Sequence, residues 1–169
     1  MNAHSQERLK LVYPRLSDAI YKLSTQLAVE GVYIIVAQGL RTISEQQALW
    51  QKGRNADGSY IDPIHHTGVV TNAQGGHSYH NLGLAVDCDV LNKDGSIDWN
   101  PEHPAWKRME ALGVSLGMVS GANWVRIVDA PHFQITGRFP EGAPTDEVRQ
   151  IMKDGGMDAV WAEVEKSFQ

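Results

Sequence analysis

The chain has 169 residues, a formal net charge of −5 and a single cysteine, Cys88. This length buries a core without disulfide staples or a structural metal, so one domain is expected and any metal is there for chemistry. Mixed charges with no lysine or arginine block argue against nucleic acid and a strongly anionic membrane surface, and one cysteine excludes a disulfide framework or a multi-cysteine zinc cage.

Met1 to Arg8 lack a basic segment followed by an apolar core, and nowhere do about 18 apolar residues run together. A soluble product made in the cytoplasm, with no membrane anchor, is expected. Leu9, Val12, Leu16, Ile20, Leu23 and Leu27 recur at three- and four-residue steps, the stripe of an amphipathic helix. Pro14 is expected in the first turn of the main segment, since inside a helix it costs about 3 kcal/mol. Gly31 is the stop, and Val32 to Val36 reads as a buried strand.

Thr42 and Glu45 have the spacing of a capping box, which sets Arg41 just outside a helix N-terminus at the end of a strand. There it either faces a site or is simply solvated. From Gly53 to Gly76 the chain is rich in Gly, Asn, Asp and Thr, a long surface excursion of the kind that is functional or mobile. His65 and His66 lie within it; adjacent loop residues seldom converge on one metal, so both are expected at the surface.

Gly83 to Leu91 alternates as a strand, with Ala85, Asp87 and Asp89 on one face and Val86, Cys88 and Val90 on the other. Cys88 then reads as a buried small hydrophobe, not a co-ligand of Asp87, while Asp89 stays a competitor. A helix is predicted from about His103 to Leu116, with Trp106, Met109, Leu112 and Leu116 as its core stripe. Trp124 to Val128 reads as a strand, and His132 to Ile135 as another after a turn at Pro131. Beyond Gly137 a Pro/Gly-containing linker leads to a helical tail, broken at Gly155-Gly156, that is expected to pack back on the domain. The predicted organisation is α+β with a small antiparallel sheet, a domain over residues 1–136 and a helical extension over 137–169.

Two segments concentrate the chemistry: Ser78-Tyr79-His80-Asn81-Leu82-Gly83-Leu84-Ala85-Val86-Asp87 and Asp129-Ala130-Pro131-His132. His80, Asp87 and His132 supply two nitrogens and one oxygen, which suits a catalytic zinc site that leaves its fourth position open. Asp129 is placed to take a proton from water and pass it to a leaving amine. Spacing alone leaves another reading open, in which the histidines make ordinary hydrogen bonds and the aspartate caps a turn.

Ser78-x-His80-x-x-Gly83-x-Ala85-x-Asp87 followed by Asp129-x-x-His132 resembles the zinc signature of the peptidoglycan peptidases that include D-alanyl-D-alanine carboxypeptidases and phage L-alanyl-D-glutamate endopeptidases. With Gly39-Leu40-Arg41-Thr42 and Glu45-Gln46 upstream, the text is similar to the endolysin branch, and the resemblance covers roughly residues 5–136. It implies a Hedgehog/DD-peptidase type α+β fold, a single domain whose small sheet packs against helices. It also implies zinc on His80, Asp87 and His132, Asp129 as catalytic base, and Arg41 beside the substrate, binding a carboxylate or the developing oxyanion. Ser78 would lend a supporting hydrogen bond on the substrate side. The chain departs from the family pattern at Asp129, where many members carry Glu, at Pro131, where many carry an aromatic residue, and at His77, an extra imidazole beside the motif serine. Three protein ligands already suffice for catalysis, so His77 is not expected to bind the metal.

The expected function is a zinc-dependent L-alanyl-D-glutamate endopeptidase acting on peptidoglycan stem peptides as a phage or prophage endolysin. It would be a monomer, held in the host cytoplasm and released to the cell wall through a holin. The alternatives are a D-alanyl-D-alanine carboxypeptidase of the same fold and a non-catalytic zinc-binding module.

Overall fold

The first apolar stripe is divided between two helices. Asn2 caps α1 (Ala3–Leu9) by accepting from the Ser5 N–H. Helix α2 (Pro14–Val29) begins at Pro14, where the missing N–H has no intrahelical partner to lose. It ends in a Schellman turn: Val32 N–H donates to the Leu27 carbonyl at 2.9 Å and Gly31 N–H to Ala28 at 3.1 Å, with Gly31 at φ 77°. The structure is a computed structural model that describes residues 1–100, 102–125 and 128–169.

Four strands form one antiparallel sheet in the order β1-β2-β4-β3: β1 (Tyr33–Gln38), β2 (Ala85–Leu91), β3 (Val119–Ser120) and β4 (His132–Gln134). The strand expected over Trp124 to Val128 is not formed by Trp124, Val125 or Val128; residues 126 and 127 lie outside the described residues. Val125 and Val128 are 98% and 68% exposed, so no layer covers their side chains, and β3 holds the sheet edge instead.

On one face of the sheet Val36, Val86, Cys88 and Phe133 are fully buried against Leu16, Ile20, Leu23 and Leu27 of α2 and Met109 of α4 (Pro104–Ser115). The alternation of β2 is thus as predicted, with Cys88 inside. Helix α3 (Ile43–Gln51) starts at the expected capping box, with both reciprocal Thr42–Glu45 bonds present. The tail forms α5 (Asp146–Glu165), bent at Gly156, where φ is 71° and ψ −169°. Val148, Val160 and Val164 of α5 are fully buried in the same core, and Trp161 Nε1 donates to the Leu82 carbonyl at 2.7 Å. Arg15 Nη2 meets Glu165 Oε1 at 2.6 Å, joining the far end of α5 to α2. Among the described residues no helix is long and apolar enough to cross a membrane.

Gly113 of α4 lies directly on Phe133: a Cβ there would come 2.3 Å from the Phe133 ring. Alanine favours a helix by up to about 1 kcal/mol over glycine, whereas overpacking a core costs about 1–3 kcal/mol. The second effect wins, so Gly113→Ala is expected to lower the urea midpoint; a raised midpoint would mean that the ring yields freely.

Candidate metal centre

Asp87 and His132 meet because β2 and β4 pair in the register Ala85↔Gln134, Val86↔Phe133, Asp87↔His132. Alternation sends Val86 and Phe133 into the core and turns Asp87, His132 and Gln134 to the other face. Pro131 has no N–H to offer the sheet, but its carbonyl accepts from Cys88 N–H at 2.8 Å and carries the pairing on. His80 arrives from a single 3-10 turn (Tyr79–Leu82), whose cap Ser78 accepts the His80 N–H on Oγ at 3.3 Å. Gly83, at φ 63°, then turns the chain into β2.

His80 Nε2 lies 3.2 Å and His132 Nδ1 3.3 Å from Asp87 Oδ1. One ligand atom from each of the three residues falls within 4.8 Å of the others. The remaining ring nitrogens are occupied: His80 Nδ1 is 2.9 Å from the Gly39 carbonyl and His132 Nε2 is 2.9 Å from Gln134 Oε1. Gln134 is fixed in that orientation because its Nε2 donates to the Glu141 carbonyl at 2.7 Å. These oxygens only accept, so in neutral imidazoles they hold the protons and leave lone pairs on His80 Nε2 and His132 Nδ1. Two lone pairs and a carboxylate oxygen therefore face one another, and the outer acceptors orient the imidazoles as metal ligands are oriented. This donor set fits zinc.

Burial alone pushes the Asp87 carboxyl up, but when the imidazoles carry a second proton the charge of His80 and hydrogen bonds from both rings outweigh it and hold the group well below the usual carboxylate range. Burial lowers His132, and its bond to Asp87 more than reverses that.

Asp129 sits in a turn whose N–H donates to the Gly121 carbonyl at 3.0 Å and whose carbonyl accepts from His132 N–H at 3.1 Å. The turn closes on Gly121, where a Cβ would stand 2.6 Å from the Asp129 oxygen and 2.9 Å from His132 Cβ. Burial and then the charge of Asp87 raise the Asp129 carboxyl, against the pull of His132, His80 and Arg41. Arg41 reaches the same place: Nη2 is 3.5 Å from Asp87 Oδ2, and Nη1 donates to Gln46 Oε1 at 2.8 Å. Gln46 is buried and anchored to the Ala73 carbonyl at 2.8 Å.

Arg41, Ser78, His80, Asp87, Asp129 and His132 line one cavity of about 320 Å³, which His77 and Trp124 also border. It adjoins a hollow of about 760 Å³ between Val69–Ala73 and Asn123–Val125, with Asp129 and Gly142 on both. The Trp124 ring stands 4.8 Å from the His132 ring. Asp89 is buried on β2 and His77 borders the cavity, but neither joins the converging ligand atoms. His65 and His66 are exposed, His65 beside Asp62 at 3.4 Å and His66 stacked on Tyr60 at 4.0 Å.

Sequence reasoning missed Gln134, Gln46, Gly121 and Trp124. Gln134 was within reach, since a residue two along a strand from His132 shares its face. Gln46 was legible only as motif text, and its strut role was hidden because its anchor is the Ala73 carbonyl; Gly121 gave no signal, because the Asp129 turn and His132 that press on it meet it only in the fold.

The family profile of the VanY D-alanyl-D-alanine carboxypeptidases matches residues 10–144. The chain belongs to the VanY family. Within that family setting it is 31% identical over 145 residues to the peptidoglycan L-alanyl-D-glutamate endopeptidase CwlK of Bacillus subtilis (strain 168), covering 78% of this chain and 81% of CwlK. It is 28% identical over 122 residues to the L-alanyl-D-glutamate peptidase of Listeria phage A118; the match covers 68% of this chain but 37% of the phage protein. The crystal structure of the Serratia marcescens L-Ala D-Glu endopeptidase ChiX superposes with a TM-score of 0.53 at 25% identity, over 82% of this chain and 90% of ChiX. The α+β architecture is thus the VanY and ChiX type of DD-peptidase fold, as the motif resemblance implied.

Gln134→Leu leaves the His132 Nε2–H without its acceptor and the ring free to turn. Loss of such an outer partner lowers metal affinity by about 10–100-fold, so competition against a chromophoric chelator should show zinc bound more weakly by that factor. Unaltered affinity would mean that the β-sheet alone orients His132.

Proposed function

We propose that the chain is a zinc-dependent L-alanyl-D-glutamate endopeptidase that cuts the stem peptides of peptidoglycan, with zinc held by His80, Asp87 and His132. The observation that carries this reading is the convergence of two imidazole lone pairs on one carboxylate oxygen, in a cavity that Asp129 and Arg41 also line. When bound, zinc polarises the scissile carbonyl and brings the pKa of water at its open position to roughly 7.

The protein's own groups do the rest. The Asp129 carboxylate takes the proton of the attacking water and returns it to the leaving amine nitrogen. Its raised pKa favours the second transfer, since a carboxyl held in a weakly solvated place binds that proton more readily. Arg41, its fork steadied by Gln46, offers N–H groups to the oxygen on which charge develops or to a substrate carboxylate. Ser78 holds the backbone of His80 and borders the path of the peptide.

The bond assignment draws support from CwlK and ChiX, both named for the L-Ala to D-Glu cleavage. The adjoining hollow gives room for chain on the far side of the cut, which an endopeptidase needs and a carboxypeptidase does not. The description of the matched family favours the second reading, a D-alanyl-D-alanine carboxypeptidase. Residues 1–136 are proposed as the peptidase domain and 137–169 as an extension packed upon it. The phage relative supports an endolysin role, in which a monomer waits in the host cytoplasm and a holin releases it to the wall.

Mass spectrometry of digested muropeptides tests the assignment. Products separated between L-Ala and D-Glu are expected, with activity stopped by a chelator and restored by zinc. Removal of a terminal D-Ala with the L-Ala to D-Glu bond intact would overturn it. Asp129→Asn should keep stoichiometric zinc, measured by atomic emission, and lose about 10²- to 10⁴-fold in kcat; undiminished turnover would remove Asp129 from the proton path.

A further inference from the structure

The C-terminal extension reaches the cavity through one side chain. Arg149, in the first turns of α5, donates from Nη1 to the Pro144 carbonyl at 2.5 Å and lies 3.3 Å from His77 Nδ1 through the same nitrogen, while Nη2 pairs with Asp146. A guanidinium has five N–H donors and no acceptor, so His77 Nδ1 must accept and its ring proton must sit on Nε2. The His77 backbone is fixed as well, its N–H donating to the Gln74 carbonyl at 3.0 Å. His77 borders the cavity that holds His80, Asp87 and Asp129, yet is not one of the converging ligands. Its Nε2 has no hydrogen-bond partner among the described residues.

We propose that His77 is a substrate-binding residue whose Nε2–H donates to an oxygen of the bound stem peptide, and that Arg149 positions it by fixing that tautomer. The proposal rests on the endopeptidase reading and deepens it. Peptide carbonyls and the free D-Glu carboxylate are the acceptors that such a donor meets, and a neutral ring with a fixed N–H is a directional donor where a mobile one is not. The tail thereby takes part in substrate binding, although none of its residues touches the metal ligands' donor atoms.

Three single variants and one double variant test this through kinetics and ring NMR, with zinc content and melting temperature as controls. His77→Phe keeps a ring without a donor and is expected to lower kcat/KM for a muropeptide about tenfold, the usual scale for one hydrogen bond, chiefly through KM. His77→Gln places an amide N–H near the position of Nε2 and should restore most of the loss. Arg149→Met should reproduce the loss and add nothing to it in the His77→Phe background. Zinc content should be unaltered throughout, and melting temperature unaltered in the two single His77 variants. Independently of activity, ¹⁵N shifts of the His77 ring should report the Nε2–H tautomer in the parent chain and a mixture in Arg149→Met. A loss confined to substrates with a free D-Glu carboxylate places the acceptor there, and an equal loss on amidated stems places it on a peptide carbonyl. Parent-like kcat/KM in His77→Phe, or a tautomer indifferent to Arg149, would overturn the proposal. Failure of the parent chain to cut muropeptides would instead strike the endopeptidase reading, with the ring shifts still deciding the Arg149–His77 link.

Discussion

The pairing of Asp87 with His132 across β2 and β4 is the constraint on which the rest depends. Side chains alternate along a strand, so a slip of one residue would turn the aspartate into the core and Val86 out toward the cavity. Burying side chains such as Val86 and Phe133 stabilises by about 1.5–3 kcal/mol each, and an unpaired buried carboxylate would cost several kcal/mol more. The apolar face therefore enforces the register, and the register enforces the polar face. Gly113, which admits the Phe133 ring, belongs to the same chain of cause.

Register brings two groups together, but it does not aim them. Aim comes from acceptors on other segments: the Gly39 carbonyl behind His80, and Gln134 with the Glu141 carbonyl behind His132. Each fixes which nitrogen keeps its proton. The same logic recurs at Arg41, whose fork is divided between Gln46 and Asp87, and at His77, whose ring faces Arg149. Asn81 ties two of these pieces together by donating to the carbonyls of Arg41 and Thr42 at 2.8 and 3.2 Å. The region is a lattice of single hydrogen bonds to buried or half-buried partners, where each missing bond leaves a polar group unsatisfied.

What was legible in the sequence is what local physics decides. Pro14 at a helix start, Gly31 at a helix end, the Thr42–Glu45 box and the alternation from Ala85 to Val90 each depend on neighbours a few residues away. Residue type and spacing made His80, Asp87, His132 and Asp129 candidates, the resemblance to a peptidase signature gave them roles, and the structure sets them around one cavity. The strand reading failed at Trp124, Val125 and Val128 because an apolar run shows only that a segment is able to pair; Val125 is open to solvent, and nothing in its own residues says so. Gln46 was legible as part of the motif text, but its role was hidden for the converse reason. A glutamine in a helix usually faces water, and only the approach of the Ala73 backbone makes this one an interior strut.

Helix α5 and the segment leading into it are made after the residues they hold in place. Glu141, Arg149, Trp161 and Glu165 contact Gln134, His77, Leu82 and Arg15, all of which leave the ribosome earlier. A nascent chain that already carries the full metal-binding motif still lacks the groups that settle its imidazoles and seal its first helices to the core. Synthesis proceeds from the N-terminus and a domain folds as a unit, so the order of translation itself keeps the cleft unfinished until α5 has been made.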